Sequence, residues 1–60
     1  MSNPYDQQAA DGVLRTTNGL TAAELAKTLR WPRTRTRKAL AALEAAGRVT
    51  HNNRTWEAVK

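Results

Sequence analysis

The chain has 60 residues, with no cysteine, no phenylalanine and a single histidine. Without cysteine there is neither a disulfide framework nor a thiolate metal site. His51 by itself does not make a histidine metal centre, and no cofactor is implied. No apolar run approaches the roughly 20 residues that cross a bilayer. Met1-Ser2-Asn3-Pro4 lacks the charged and apolar stretches of a signal peptide. No membrane partner is expected, and the expected location is cytoplasmic, nucleoid-associated or nuclear. The only aromatic residues are Tyr5, Trp31 and Trp56, too few for the stacking platforms of single-strand recognition. Carboxylates are scarce as well: Asp6, Asp11, Glu24, Glu44 and Glu57. Most of them read as capping or solvating groups. There is no glycine-rich phosphate loop, and a chain this short has little room for a pocket. Neither an enzyme nor a small-molecule substrate is expected.

What the chain does have is positive charge in one place. Its formal net charge is +5 and its pI is about 10.9. Of the ten basic residues, Arg30, Arg33, Arg35, Arg37 and Lys38 fall within nine positions, and no acid lies between Glu24 and Glu44. A patch of this kind describes partners rather than fold.

The order of elements follows from periodicity and punctuation. Residues 1–5 read as a frayed start. Asp6 is placed to cap a first helix running to about Thr17, with Ala10, Val13, Leu14 and Thr17 as its i, i+3, i+4, i+7 stripe. Asn18-Gly19 stops it. Thr21-Ala22-Ala23-Glu24 is a capping box that opens a second helix through about Leu29. Leu20 is either its hydrophobic staple or a one-residue strand. Trp31-Pro32 breaks the pattern, since proline disfavours helix before itself and suits a helical first turn. A third helix then runs from Pro32 or Arg33 to Ala46 with Thr36, Ala39, Leu40 and Leu43 inward, and Gly47 ends it. The tail alternates around Asn52-Asn53, a plausible two-residue hairpin turn, which would set His51 opposite Arg54 and Val49 opposite Trp56. The fold class is mainly α with a β-hairpin, one domain over 1–60. Its core is expected to hold Val13, Leu14, Leu20, Leu25, Leu29, Leu40, Leu43, Val49 and Trp56. A chain of this length buries only roughly 60% of its unfolded surface.

On a wheel of the third helix, Thr34, Arg37, Lys38 and Ala41 oppose the buried side, with Arg33 and Arg35 flanking. Cations in a helical first turn oppose the helix dipole and repel one another, so a purely structural sequence would favour Asp or Glu there. Local rules are broken at functional sites, although a charge run can also be an ordinary solvated face. Polyanions relieve the conflict, because arginine forks pair with phosphates and with guanine edges in the major groove. Helix-turn-helix proteins read bases with the first residues of their second motif helix. Thr34, Arg37 and Lys38 are therefore expected nearest the bases of double-stranded DNA, with Arg33 and Arg35 at phosphates or groove edges. In the hairpin, Arg54, Asn52 and Asn53 are candidate backbone or minor-groove contacts, although the two asparagines already have a conformational role. His51 reads as an exposed tip residue and Trp56 as core. Trp31 is either a half-exposed turn residue or a phosphate contact through its indole N–H.

From Leu20 to Val59 the chain resembles the winged helix-turn-helix superfamily. The resemblance rests on Leu-Thr-Ala-Ala-Glu-Leu-Ala (20–26), Arg-Lys-Ala-Leu-Ala-Ala-Leu-Glu-Ala-Ala-Gly-Arg-Val (37–49) and a hairpin ending in Trp56. It implies that the third helix enters the major groove and that the hairpin forms the wing. The gamma domain of FtsK-type DNA translocases, which reads short orienting sequences, is similar over Tyr5-Asp6 and Arg35 to Thr50; no motor accompanies those residues here. Z-alpha domains have a similar layout and a wing tryptophan like Trp56, but carry Asn and Tyr where Arg37 and Ala41 stand, which argues against left-handed DNA. The expected role is duplex DNA binding, as a transcriptional regulator or an architectural or recombination accessory factor. A homodimer or a larger parent protein would supplement the modest affinity of one module. The rival expectation is a protein–protein interaction module on the same scaffold.

Overall fold

The computed structural model describes residues 3–59. Its elements are α1 (Pro4–Arg15), β1 (Leu20–Thr21), α2 (Ala22–Leu29), α3 (Arg33–Ala45), β2 (Val49–Asn52) and β3 (Thr55–Ala58). The strands form one antiparallel sheet in the order β1-β3-β2. The architecture is mainly helical with a hairpin, as expected. Among the described residues no helix is long and apolar enough to cross a membrane.

α1 begins earlier than its composition suggests. Asn3, not Asp6, is the N-cap, and its side chain accepts a hydrogen bond from the Asp6 amide at 2.8 Å. Pro4 and Tyr5 thus belong to the helix rather than to a frayed start, while Met1 and Ser2 lie outside the described residues. The physical reason is that proline's fixed φ suits the first helical position, so Asn3-Pro4 nucleates the turn. Asp6 is left free for another partner. At the other end the helix stops at Arg15, two residues short of expectation. There Thr16 and Thr17 turn their hydroxyls back onto the carbonyls of Val13 and Leu14.

α2 has the capping box. The Glu24 amide donates to Thr21 Oγ1 at 3.1 Å, and the Thr21 amide donates to Glu24 Oε1 at 2.9 Å. α2 and α3 end in the same way. The amides of Trp31 and Arg48 reach the carbonyls of Ala26 and Leu43, five residues back, and those of Arg30 and Gly47 reach Lys27 and Glu44, three back. This Schellman geometry needs a left-handed residue, supplied by Arg30 (φ 58°) and Gly47 (φ 75°).

The helices and sheet close on Ala10, Leu14, Leu25, Ala39, Leu40, Leu43 and Val49, with Val13, Leu20, Leu29, Trp31, Trp56 and Ala58 packed against them. Of the nine expected core residues, Leu14, Leu25, Leu40, Leu43 and Val49 are in the buried cluster, and Val13, Leu20, Leu29 and Trp56 are partly buried against it. Thr36 is fully buried, and its hydroxyl reaches the Pro32 carbonyl. β1 adds a third strand to the expected hairpin, pairing Leu20 with Trp56 and Thr21 with Thr55.

The hairpin register differs from expectation. The turn is Asn53-Arg54, so His51 faces Trp56 and Val49 faces Ala58. Moving the turn by one residue keeps Val49, His51, Trp56 and Ala58 on one face, because the ladder slips by two. It also places Trp56 between Leu20 and His51, where both of its cross-strand neighbours are large. A turn of this length needs φ above zero at its first central residue. Asn53, at φ 59°, supplies that value at low steric cost.

Candidate functional site

α3 enters with no side-chain cap and no acid in its first turn, because Pro32 occupies the cap position. The buried residues Thr36, Ala39, Leu40 and Leu43 fix its rotation. That rotation leaves Arg33, Thr34, Arg35, Arg37, Lys38 and Ala41 exposed. Thr34, Lys38, Ala41 and Ala45 follow one another at i, i+4, i+7 and i+11, forming an exposed ridge.

The two sides of this ridge are different. On the hairpin side, an open groove of about 630 Å³ is lined by Thr21, Ala22 and Ala23 of α2, Arg33 and Arg37 of α3, and His51, Asn53, Arg54 and Trp56 of the hairpin. The structure therefore brings Arg33, Arg37, Asn53 and Arg54 together. Thr34 and Lys38 stand outside the groove on the ridge, and Asn52 is exposed at the end of β2 opposite Thr55. Asn53 and Arg54 form the tip.

On the α1 side, Arg35 Nε and Nη2 donate to Asp6 Oδ2 and Oδ1 at 2.9 and 2.7 Å. The Arg35 guanidinium also lies 4.6 Å from the centre of the Trp31 ring, within cation–π range. Asp6 is only 6% exposed. The two guanidinium hydrogen bonds hold its carboxyl below the usual aspartate range, against the opposing effect of burial, and hold Arg35 above its own ordinary value. Trp31 is half-buried and packs against the core, matching the half-exposed turn residue expected of it.

His51 is exposed but is not a tip residue, because the turn sits one position further on. Its ring lies 4.5 Å from that of Trp56, and its Nδ1 is 2.6 Å from Glu44 Oε2. This contact ties β2 to α3 beside the groove. Trp56 is half-buried: it packs on the core and also borders the groove.

The remaining charges sort by location. Arg15 and Arg48 both approach Asp11, at 3.2 and 3.9 Å. Among the described residues, Lys27, Arg30, Arg33, Arg37, Lys38 and Arg54 have no carboxylate within ion-pair distance. Lys27 lies outside the basic patch read from the sequence, and Arg30 lies within that patch but was not among the candidate contacts. The only signal for them was the absence of a free acid nearby, and Glu24, three residues before Lys27, is used by the capping box. No group of three or more His, Cys, Asp or Glu side chains capable of holding a metal occurs among the described residues. Comparison of the chain with family models, curated proteins and solved structures yields no match.

Proposed function

We propose that this chain is a winged helix-turn-helix domain that binds double-stranded DNA, with α3 as the reading helix and the β2–β3 hairpin as its wing. The observation that carries the reading is the sorting of charge. Among the described residues, the six cations with no carboxylate partner all lie on the second half of α2, the turn after it, the first half of α3 and the hairpin tip. Unpaired arginines at a helical N-terminus are unfavourable until a polyanion arrives, and phosphates and guanine edges both accept the arginine fork.

In this reading Arg37, Lys38 and Thr34 meet base edges, while Arg33 and Arg54 take phosphates on either side of the groove. Small residues further along the ridge, Ala41 and Ala45, allow close approach. Asn53 holds the tip in shape and presents its amide beside Arg54. A role in transcription regulation, or as an architectural or recombination accessory factor, is the biological setting this activity would serve.

The test is a fluorescence-anisotropy titration of a labelled random-sequence DNA duplex at several salt concentrations. The expected result is binding that weakens with salt, at about 0.9 log units per log unit of salt for each of roughly three to six phosphates contacted. Competition with an RNA duplex should be weak, because A-form RNA closes its major groove to side chains. A folded chain that fails to bind duplex at low salt overturns the reading and moves the search to acidic protein partners.

A further inference from the structure

We infer that Arg35, although it lies in the middle of the cationic turn, is a positioning residue rather than a DNA contact, and that Asp6 holds it so that Arg33 and Arg37 meet the duplex in one fixed register. This inference rests on the duplex-binding reading above and changes the role of one of its arginines.

Four observations carry it. First, the Nε–Nη2 edge of the guanidinium, one of the two edges it could offer a phosphate or guanine, is already engaged. Nε and Nη2 both reach the Asp6 carboxylate, at 2.9 and 2.7 Å, and the guanidinium lies against the Trp31 ring. Secondly, Asp6 is buried, and turning Arg35 toward DNA would strand that carboxylate without a partner. Arg35 itself is half exposed, but leaving the buried carboxylate without its hydrogen-bond partner is unfavourable, so the pair stays closed when DNA binds. Thirdly, α3 has no acid in its first turn and no side-chain cap. Asp6, delivered by α1, brings a negative charge to that helix end from another element, where it opposes the repulsion among Arg33, Arg35 and Arg37. Fourthly, the device is anchored at its far side. Asn3 Oδ1 receives the Asp6 amide at 2.8 Å, which fixes the turn of α1 that carries the carboxylate.

The geometry makes the brace a lever. Arg33 and Arg37 stand two residues before and after Arg35, so they lie on the opposite flank of the helix. A bidentate contact on one flank tightens the rotation that the buried residues of α3 set, and rotation decides which side chains face the groove.

A charge swap tests the inference, with a random-sequence DNA duplex as the probe and circular dichroism as the check on folding. Arg35→Asp should weaken duplex binding. Adding Asp6→Arg should recover roughly 2- to 150-fold of the loss, the range for residues in one ion-pair network, together with the wild-type salt slope. Adding Glu57→Arg to Arg35→Asp restores the same net charge at a site with no contact to Arg35, and should recover much less. If the Asp6→Arg swap rescues no better than the Glu57→Arg control, the brace is wrong.

Should Arg35→Asp fail to fold, Arg35→Lys decides. It keeps the charge and loses the fork, so a brace predicts weaker binding at an unchanged salt slope. A phosphate contact predicts near-normal binding, because lysine serves a phosphate as a point charge. Arg37→Ala, run in parallel, separates the two levels of the argument. If it weakens binding while the swap does not rescue, the inference falls and the duplex-binding reading stands. If the wild-type chain binds no duplex, both fall.

Discussion

The two flanks of α3 use the same residue type in opposite ways. Toward α1, Arg35 is paired with buried Asp6 and laid against Trp31. Toward the hairpin, Arg33 and Arg37 border an open groove with Arg54 and have no acid within reach. The wider surface repeats the division: Asp11 is approached by Arg15 and Arg48 near α1, whereas Lys27, Arg30, Lys38 and Arg54 are unpaired. A run of arginines in sequence is therefore not one functional unit. Within the run, Arg35 pairs with α1 while Arg33 and Arg37 border the groove, and helical geometry decides which.

The largest way to break this comparison is to remove the core that holds both flanks. Leu40 is fully buried at the centre of α3. Leu40→Ala should cost about 2–5 kcal/mol, and a 60-residue domain at roughly 0.05–0.15 kcal/mol per residue holds only about 3–9 kcal/mol. Much of the population should unfold, read as loss of the helical signal at room temperature. A variant that stays fully folded, with an unchanged thermal midpoint, would contradict the assigned core.

A finer cut sets a cation that borders the groove against one on α1. Arg37→Ala should weaken duplex binding by roughly 1–3 kcal/mol, or about 5- to 150-fold, if it reads a base edge. Arg15→Ala removes an exposed cation paired with Asp11 on the other side. Such a pair is worth about 0–1 kcal/mol to stability, and distant charges are screened within about 8–10 Å at ordinary salt. Its salt slope should match that of the wild type. Equal losses from the two variants would mean that binding follows net charge and not the groove.

The contrast between the flanks also explains what the sequence could reveal. Periodicity was enough to locate Thr36, Leu40 and Leu43, and therefore the exposed face of α3, because inward positions repeat locally. The capping box at Thr21 and Glu24 was legible for the same reason: both partners lie within one turn. The Asp6–Arg35 contact spans 29 positions, and no local pattern encodes it. Asp6 fits a cap by its local pattern, but the neighbouring Asn3-Pro4 pair takes that position. The hairpin turn moved because either asparagine can supply positive φ, and the choice was made by a nonlocal contact, the pairing of Trp56 with Leu20 on β1. The same pairing moved His51 away from the tip and placed it beside Glu44.

Acid should sharpen the comparison from the structural side. Asp6 is held below its ordinary value of 3.8 by Arg35. A carboxylate whose folded value is depressed stabilises the fold fully above the unfolded value, and that contribution is lost as pH falls through the folded one. Thermal midpoints of the wild type should therefore drop as pH is lowered from neutral to below that value. Asp6→Asn should start lower at neutral pH and show a shallower acid decline. An equally steep decline in the variant would assign the acid sensitivity to other carboxylates.

The smallest expected effect is a stabilisation that leaves binding alone. Gly12 is a helical, exposed residue of α1 at which an added Cβ meets nothing within 4 Å. Replacing it by alanine removes unfolded-state freedom and favours the helix by roughly 0.5–1 kcal/mol. For a domain of this size that corresponds to a rise of several degrees in thermal midpoint, at about 4–8 °C per kcal/mol. Gly12 lies on the helix that carries Asp6 but belongs to neither flank of α3. Gly12→Ala should therefore raise the midpoint while leaving duplex affinity and salt slope unchanged. A change in affinity alongside the midpoint would mean that the stability of α1 is transmitted to the groove, so that α1 regulates how α3 is presented rather than only bracing it.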